Sequence, residues 1–245
     1  MCTVSWLPTP GGYVLCCNRD EQFTRAAALP PAVRDRLGMP YLSPLDGDFG
    51  GSWLAVNAAG VTLSVLNRYS VEGYVAPAAP SSRGLLLLDL IPSAVASDML
   101  TTLRETDLHR VQPFTLIIAA PDTPAHLARW DGQRLAVSST AAPGLLATSS
   151  AVAEQAVSAS RRTQFDGLSP TTVPGLEALH RSHLPERGPL SICMHRPDAA
   201  TQSYTRVEVT PQRVTLVHSA ESPCRNAPPD SLNLPRRAAT VESHR

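Results

Sequence analysis

Residues 2–21 read CTVSWLPTPGGYVLCCNRDE, and this stretch decides how the chain begins to fold. Thr3–Leu7 and Tyr13–Cys17 are rich in β-branched, aromatic and apolar residues, a composition typical of β-strands. Between them, Pro8–Gly12 supplies the prolines and glycines that favour a tight turn. The pattern therefore predicts a β-hairpin at the start of the chain.

The predicted hairpin brings the first residues of the chain close to a charged segment. If the turn centres near Pro10, the numbers of facing residues sum to about 20. Cys2 then lies opposite Asn18, within one register step, and the charged run Arg19–Glu21 follows directly. The spacing alone thus places a cysteine beside a guanidinium and two carboxylates.

Cys2 has the chemistry of an N-terminal nucleophile. A small second residue permits removal of the initiator methionine, which leaves a thiol and a free α-amine on the same residue. The amine can act as general base for its own side chain, as in enzymes with an N-terminal threonine. Arg19 would favour the thiolate by its charge, and Asp20 could orient the ammonium by accepting a hydrogen bond.

Each of these residues also has a purely structural interpretation. Cys2 could be an ordinary residue near a frayed terminus. Arg19 and Asp20 could form an ion pair that braces the following loop, or the whole run could be a solvated charged surface. Glu21 is the best candidate of the three for such a structural role.

Downstream of the hairpin, groups of predicted strands alternate with pairs of predicted helices. Strands are expected at residues 52–56, 61–66, 114–120, 126–130, 134–138, 191–194, 204–209 and 213–218. Helices are expected at residues 83–91, 97–106, 151–165 and 176–183. Ser149 or Ser150 could cap the third helix. This order predicts an α+β fold, a four-layer αββα sandwich in which helices cover two antiparallel sheets.

The remaining segments are predicted to be irregular. Residues 22–48 contain prolines and glycines with weak periodicity, and residues 70–82 form a Pro/Ala/Ser loop. Both segments are expected to shape the mouth of a pocket. No composition break marks a second domain, so residues 1–222 are expected to form one domain. Residues 223–245 turn to Pro, Asn, Ser and Arg, which predicts a mobile C-terminal tail.

The composition limits which partners and which cellular location are expected for the protein. The 245 residues carry 21 basic and 21 acidic side chains, so the charge balance indicates no nucleic-acid or anionic-membrane partner. The longest apolar run, Leu85–Leu88, is far shorter than the roughly 20 residues that span a bilayer. The N-terminus has no secretory-signal pattern. We therefore expect a cytoplasmic protein that acts on a small molecule, and no pattern indicates its oligomeric state.

The five cysteines are Cys2, Cys16, Cys17, Cys193 and Cys224. An odd number in an intracellular chain argues against a disulfide framework. There is no C-x-x-C pair and no histidine cluster that completes a zinc site, so no metal is predicted. Core packing is expected for Cys193 and for at least one of Cys16 and Cys17. Cys224 is expected to be a thiol of the tail.

Several of these motifs resemble a known family. Met1-Cys2 with Cys17–Glu21, Gly50–Leu54 with Val61–Asn67, and Ser82–Gly84 resemble three blocks of the NRDE-motif family, which includes the transport and Golgi organisation protein 2 group. That family is similar to the N-terminal-nucleophile hydrolases of the choloylglycine and penicillin-V amidase type. The resemblance is specific over the first ninety or so residues and looser to about residue 220. It implies the αββα fold of those hydrolases.

The resemblance also implies catalytic roles. In the amidases a mature N-terminal cysteine attacks an amide carbonyl, which assigns the nucleophile to Cys2. An arginine and an aspartate after the second strand support it, and these roles fall to Arg19 and Asp20. The asparagine that helps hold the oxyanion corresponds to Asn67, which ends the fourth strand.

Four further residues are candidates for substrate or oxyanion support: Asn18, Arg83, Ser149 and Arg206. Ser149 stands where the family tends to show an asparagine, so its hydroxyl would have to replace a second amide donor. Arg206 is the candidate for an arginine that the amidases carry late in the chain. Arg83 could instead cap a helix.

Three functions are therefore open. The first is a cysteine amidohydrolase or acyltransferase that acts on a linear amide C–N bond after removal of Met1, with no metal or organic cofactor. The second is a non-catalytic protein on the same fold that handles haem or a lipid or acyl ligand, as has been linked to the transport and Golgi organisation 2 group. The third is a structural or regulatory protein whose site is inactive.

Overall fold

Thirteen strands and four helices form the regular structure of residues 2–237, the part of the chain that this computed structural model describes. The strands are β1 (Cys2–Thr9), β2 (Gly12–Gln22), β3 (Leu29–Arg36), β4 (Met39–Leu45), β5 (Leu54–Asn57), β6 (Thr62–Asn67), β7 (Phe114–Ala119), β8 (Ala125–Trp130), β9 (Leu135–Thr140), β10 (Gly144–Thr148), β11 (Ala199–Val209), β12 (Arg213–Ser219) and β13 (Asp230–Pro235). The helices are α1 (Arg83–Leu90), α2 (Ala96–Glu105), α3 (Glu154–Leu168) and α4 (Val173–His180).

The strands form two antiparallel sheets. The first, here called the hairpin sheet, has the order β10-β1-β2-β11-β12-β13, and the second, the meander sheet, runs in order from β3 to β9. Helices α3 and α4 pack on the hairpin sheet, and α1 packs on β5 and β6 of the meander sheet with α2 beside it. A buried cluster that includes Trp6, Leu54 and Ile117 fills the space between the sheets. The predicted α+β architecture of helices outside two antiparallel sheets is confirmed.

The register of the first hairpin decides which side chains share a face. Cys2 pairs with Arg19, one step from the expected partner Asn18. Directly paired residues lie on the same face of a sheet, and neighbours along a strand point to opposite faces. Cys2, Cys17 and Arg19 therefore face the space between the sheets, whereas Asn18 and Asp20 face the helices.

The segment 22–48, predicted to be irregular, contains the hairpin of β3 and β4. The prolines that obscured it are tolerated because β3 is an edge strand, where a missing backbone N–H costs little. Leu37 and Gly38 both have positive φ, 54° and 80°, as a two-residue turn of the primed type requires. The pattern of residue types was therefore a poor guide at this sheet edge.

The prediction of a mobile tail over residues 223–245 is wrong for its first part, residues 223–235. Residues 223–225 form a 3₁₀ turn, and β13 pairs with β12 along its full length. Leu234 is buried against the core between the sheets, which gives the strand its apolar anchor. Residues 238–245 of the predicted tail lie outside the described part of the chain.

Three smaller predictions are also corrected. Residues 191–194 are not a strand, and the strand that completes the hairpin sheet beside β1 is instead β10, which was not predicted. Helix α3 begins at Glu154, and neither Ser149 nor Ser150 caps it, because Ala153 precedes it in a left-handed conformation with φ 49°. No helix within residues 2–237 combines the length and the apolar character needed to cross a bilayer.

Candidate active site

A cavity of about 410 Å³ lies beside the end of the β1–β2 hairpin. Four of the residues that the sequence singled out line it: Cys2, Arg19, Asn67 and Arg83. The volume lies within the roughly 300–1,000 Å³ range of small-molecule sites. The structure thus brings these four residues, distant in sequence, to one concave surface.

Cys2 presents a thiol whose surroundings favour the charged form. The side chain is 7% exposed, and the neighbouring Cys17 lies on the same face of β2. A hydrogen bond from the Cys17 thiol, the charge of the amino terminus and, as the smallest of the three effects, the charge of Arg19 lower the pKa of Cys2. Together they outweigh burial and the Asp20 carboxylate, which raise it. The same hydrogen bond and burial raise the pKa of Cys17 well above its usual value. Of the two thiols, Cys2 is therefore the one that ionises more readily.

Ser149 forms hydrogen bonds with both the backbone nitrogen and the backbone carbonyl of Cys2. The Cys2 nitrogen donates to Ser149 Oγ at 3.1 Å, and the Ser149 nitrogen donates to the Cys2 carbonyl at 3.0 Å. Ser149 lies just after β10, which pairs with β1. Its hydroxyl therefore holds the nitrogen that becomes the α-amine once Met1 is removed, a role different from the oxyanion donor expected from the sequence.

Arg19 is fixed at the wall of the cavity by acidic and aromatic neighbours. One of its terminal nitrogens lies 3.0 Å from Asp46 Oδ2 and 3.3 Å from Glu21 Oε2. The guanidinium also stacks 4.5 Å from the centre of the Trp53 ring, a cation–π contact. The predicted alternative of an Arg19–Asp20 ion pair is wrong, because adjacent strand residues point to opposite faces.

A compact turn at the rim of the cavity holds Asp46 in place. Arg25 donates to both carboxylate oxygens of Asp46 at 2.7 and 2.8 Å, and the backbone of Asp48 and Phe49 donates to Oδ1. Burial opposes ionisation, but these bonds hold the pKa of Asp46 below its ordinary value. Asp46 therefore remains charged at neutral pH and anchors Arg19.

Asp20 lies on the helix side of the hairpin sheet in a buried polar network. Arg161 on α3 donates from Nη2 to Asp20 Oδ2 at 3.1 Å, and Thr201 Oγ1 donates to Oδ1 at 2.6 Å. The Arg161 Nη1 atom also contacts the hydroxyls of Thr3 and Thr148 at 2.5 and 3.0 Å. These two threonines face each other across β1 and β10, so the network pins the strand that begins with Cys2.

Asn67 and Arg83 approach the cavity from the meander sheet and from α1. Asn67 ends β6, and its Nδ2 donates to the Tyr69 hydroxyl at 2.7 Å, at an exposed position. Arg83 begins α1 and donates to the Pro113 carbonyl at 3.1 Å, and burial lowers its pKa. Ser82, not Arg83, caps the helix with its side chain.

Two glycines let α1 approach the cavity so closely. A Cβ built on Gly51 would lie 2.7 Å from the backbone carbonyl carbon of Gly84, and a Cβ on Gly84 would lie 2.8 Å from the Ser52 nitrogen. Such distances are too short for any side chain. The Ser52 nitrogen also donates to the Gly84 carbonyl at 3.2 Å. The close backbone crossing is what places Arg83 at the cavity.

Two of the weaker candidates lie elsewhere. Asn18 is fully buried on the helix side, where its Nδ2 donates to the carbonyls of His180 and Ile192 and its Oδ1 contacts His180 Nδ1. Arg206 forms an ion pair with Glu177 of α4 at 3.1 Å. Neither residue lines the cavity, so neither can act there on a substrate.

Sequence reasoning missed three residues that build the site: Arg25, Asp46 and Arg161. Arg161 did leave a signal, because it occupies the same helical face as Val157 and Phe165, which both point into the core. An arginine on the buried face of a helix almost always has a buried partner. Arg25 and Asp46 left none, since both lie in the segment predicted to be irregular.

Comparison with known proteins places the chain in a family. Residues 1–165 match the family model described as Transport and Golgi organisation 2. No curated protein matches the sequence at a significant level.

Solved structures of amide-cleaving enzymes resemble the fold at low sequence identity. A mutant of the conjugated bile acid hydrolase from Clostridium perfringens is 11% identical, with a TM-score of 0.59 over 96% of this chain and 92% of that one. An N-acylethanolamine-hydrolyzing acid amidase ortholog from Caenorhabditis elegans is 12% identical, with a TM-score of 0.56 over 84% and 92%. Penicillin V acylase from Agrobacterium tumefaciens is 10% identical, with a TM-score of 0.53 over 99% and 93%.

These likenesses concern the fold, which is that of the N-terminal-nucleophile hydrolases. The family model covers about two thirds of the chain and includes the first hairpin, Cys2 and the charged run after β2. The resemblance expected from the sequence is therefore confirmed, and the chain belongs to the Transport and Golgi organisation 2 family.

Proposed function

We propose that this protein is an N-terminal cysteine amidohydrolase or acyltransferase that acts on a linear amide bond after removal of Met1. The observation that carries the proposal is the Cys2 thiol, which lines the cavity and has a lowered pKa because Cys17 donates a hydrogen bond to it. A thiol of lowered pKa that lines a cavity beside an arginine is in the setting typical of reactive cysteines. A merely structural cysteine would instead have a pKa raised by burial.

In this mechanism Cys2 Sγ attacks the carbonyl carbon of the amide. The α-amine of the mature Cys2 takes up the thiol proton and later delivers it to the leaving nitrogen. Ser149 Oγ, 3.1 Å from the Cys2 nitrogen, orients that amine. Release of the amine leaves a thioester on Cys2. Water hydrolyses this thioester, or a second amine attacks it and takes the acyl group, and either step restores the Cys2 thiol.

The negative charge that develops on the carbonyl oxygen needs donors. Asn67, on the cavity wall, supplies its side-chain amide as one donor. To do so, the amide gives up its hydrogen bond to the Tyr69 hydroxyl and turns towards the substrate. A backbone N–H provides the second donor. Each such donor is worth roughly 2.7–4 kcal/mol in the transition state, so Asn67→Ala is expected to lower the rate about 100–1,000-fold.

The experiment is a turnover assay with the three classes of amide that the similar structures' names indicate: a conjugated bile acid, an N-acylethanolamine and penicillin V. The protein is first checked for loss of Met1, and amine release is followed with Cys2→Ala as the control. Hydrolysis of any one amide that disappears in Cys2→Ala supports the proposal. Mature protein that binds these amides without cleaving them contradicts it.

The alternative is a ligand-binding protein that uses the same cavity without catalysis, for haem or for a lipid or acyl ligand. What favours it is the apolar part of the wall, which includes Trp53, Val65 and Phe49. Within residues 2–237, Cys2 is the only cysteine and there is no histidine among the cavity-lining residues, so a haem iron there would take Cys2 as its ligand. Binding of haem that is lost in Cys2→Ala, without any amide turnover, would favour this alternative.

A further inference from the structure

Four metal-binding side chains meet on the far side of the hairpin sheet from the cavity. His183 follows α4, Cys193 and His195 lie in the connection to β11, and Cys224 lies in the 3₁₀ turn after β12. One ligand atom of each residue lies within 4.8 Å of the other three. The expectation that no histidine and cysteine cluster completes a zinc site missed this group, because its members come from two separate connections, α4–β11 and β12–β13, and have no C-x-x-C spacing.

Two of the separations within this cluster are those of ligands on one tetrahedral zinc ion. His195 Nε2 lies 3.5 Å from Cys193 Sγ and 3.6 Å from Cys224 Sγ. With Zn–N of about 2.0–2.1 Å and Zn–S of about 2.3 Å at the tetrahedral angle, a nitrogen and a sulfur on the same zinc lie about 3.5–3.6 Å apart. The other pairs lie within 4.8 Å, so side-chain shifts of at most about 1.5 Å bring them to the separations found on one ion.

His183 carries an independent sign of a missing ligand. Its Nε2 atom is buried and has no hydrogen-bond partner within the described residues. Its ring packs edge-on against His195, with centroids 5.1 Å apart and an interplanar angle of 62°. A buried polar atom without a partner destabilises the fold, and coordination of a cation would satisfy it.

We propose that His183, Cys193, His195 and Cys224 form a structural zinc site. Two thiolates and two imidazoles in a closed tetrahedral set are a donor combination that selects zinc over magnesium or calcium, which prefer oxygen. On binding, Zn²⁺ replaces the thiol protons of Cys193 and Cys224, so two protons leave for each ion bound. Cys224 is partly exposed and gives the ion a route of entry.

One contact opposes zinc binding and is expected to break. An Arg187 terminal nitrogen lies 3.4 Å from His195 Nδ1. Zinc on Nε2 leaves Nδ1 protonated, and arginine has no acceptor to offer that proton. Arg187 is exposed and can turn into solvent. The Arg187→Ala variant is therefore expected to bind zinc at least as tightly as the unchanged protein.

The proposed zinc site adjoins the network that holds Asp20. Met194, between two of the ligands, donates its N–H to Thr201 Oγ1 at 2.8 Å, and that hydroxyl donates to Asp20 Oδ1 at 2.6 Å. None of the four ligands lines the cavity within the described part of the chain. Zinc would thus stabilise the loops behind the sheet without reaching a substrate.

The test uses the full-length protein, stripped of metal with a chelator under reducing conditions. Zinc alone is titrated back in competition with a chromogenic chelator, and Co²⁺ is substituted to read the geometry from its absorption. We expect one ion per chain, intense tetrahedral d–d bands and a thiolate-to-cobalt charge-transfer band. The midpoint of thermal unfolding is expected to rise by about 5–11 °C at a zinc concentration 100 times the Kd.

Two ligand variants and one matched control make the result specific. Cys224→Ser, at a partly exposed position that tolerates the change, and His183→Ala are expected to lose more than about 100-fold in zinc affinity, beyond what outer-shell changes cost. His126→Ala, a half-buried histidine on β8 outside the cluster, is expected to keep it. Folded protein that binds no stoichiometric zinc, binds cobalt without a thiolate band, or shows a Cys193–Cys224 disulfide in place of the ion overturns the proposal.

Discussion

Replacing Arg161 by methionine is the perturbation that probes the support of the site most sharply. Its side chain is 1% exposed and that of Asp20 is fully buried, and their ion pair spans 3.1 Å between α3 and β2. Methionine replaces the aliphatic part of the arginine side chain and removes the charged guanidinium. The variant therefore removes the Arg161 charge from beside the buried Asp20 carboxylate, which keeps its hydrogen bond from Thr201.

The expected loss of stability is large because the pair is buried. Removing one partner of a buried ion pair costs about 3–5 kcal/mol, since the other charge stays out of water. The exposed pair of Arg36 and Asp89 is the matched control. Arg36→Met removes an equivalent contact at the surface and is expected to cost about 0–1 kcal/mol.

The assay is urea denaturation of five proteins: the unchanged chain, Arg161→Met, Asp20→Asn, the double variant of these two, and the control Arg36→Met. If the charge is the cause, adding Asp20→Asn to Arg161→Met restores part of the stability, with a coupling energy above about 1 kcal/mol. Labelling of Cys2 is followed in the same proteins, because Arg161 also holds Thr3. A loss below about 1 kcal/mol for Arg161→Met, or strict additivity of the two substitutions, would show that the buried ion pair does not stabilise the fold.

Three further predictions concern the thiol, the pH dependence and the backbone crossing. Cys17→Ala is expected to raise the pKa of Cys2 and to slow its alkylation at neutral pH, because the hydrogen bond from Cys17 is lost. The control Cys16→Ala, on the other face of β2, is expected to leave the pKa and the alkylation rate of Cys2 unchanged. Equal alkylation rates in the two variants would contradict Cys17 as the donor. Burial lowers the pKa of His180 to about 3, so the neutral form is favoured in the fold. The contribution of neutral His180 to the free energy of unfolding is fully present above the unfolded pKa of about 6.5 and falls by about 1.4 kcal/mol per pH unit below it. Urea denaturation at several pH values should find this slope reduced in His180→Gln. Gly51→Ala forces a Cβ against the backbone of α1 and is expected to cost about 1–3 kcal/mol; unchanged urea midpoints would contradict the close crossing.

The sequence predicted what local spacing and residue type determine. The first hairpin was predicted to within one register step, because proline and glycine mark its turn and apolar residues mark its strands. That register sufficed to bring Cys2 beside Arg19. The helix α1 and the strand meander β7 to β9 were predicted within one or two residues, because their apolar patterns are strong.

Long-range packing determines what the sequence did not predict. The edge strands β3 and β13 have proline-rich or polar sequences, and only pairing with a neighbouring strand makes them regular. Asp20 was predicted to serve Cys2, but the alternation of side chains along β2 turns it to Arg161. No local sequence pattern can predict that Asp20 pairs with Arg161, which lies 141 residues away along the chain.

One measurement tests directly whether Cys2 is an activated N-terminal nucleophile. The intact mass of the purified protein is recorded before and after a mildly electrophilic thiol probe small enough to enter the cavity. Peptide mapping then separates labelling at Cys2 from labelling at Cys224, the one other cysteine within the described residues that is not fully buried.

An activated Cys2 is expected to show loss of Met1 and fast labelling at Cys2 that disappears in Cys2→Ala, with any slow labelling confined to Cys224. Retention of Met1, or labelling of Cys2 no faster than that of an ordinary exposed thiol, would contradict the claim.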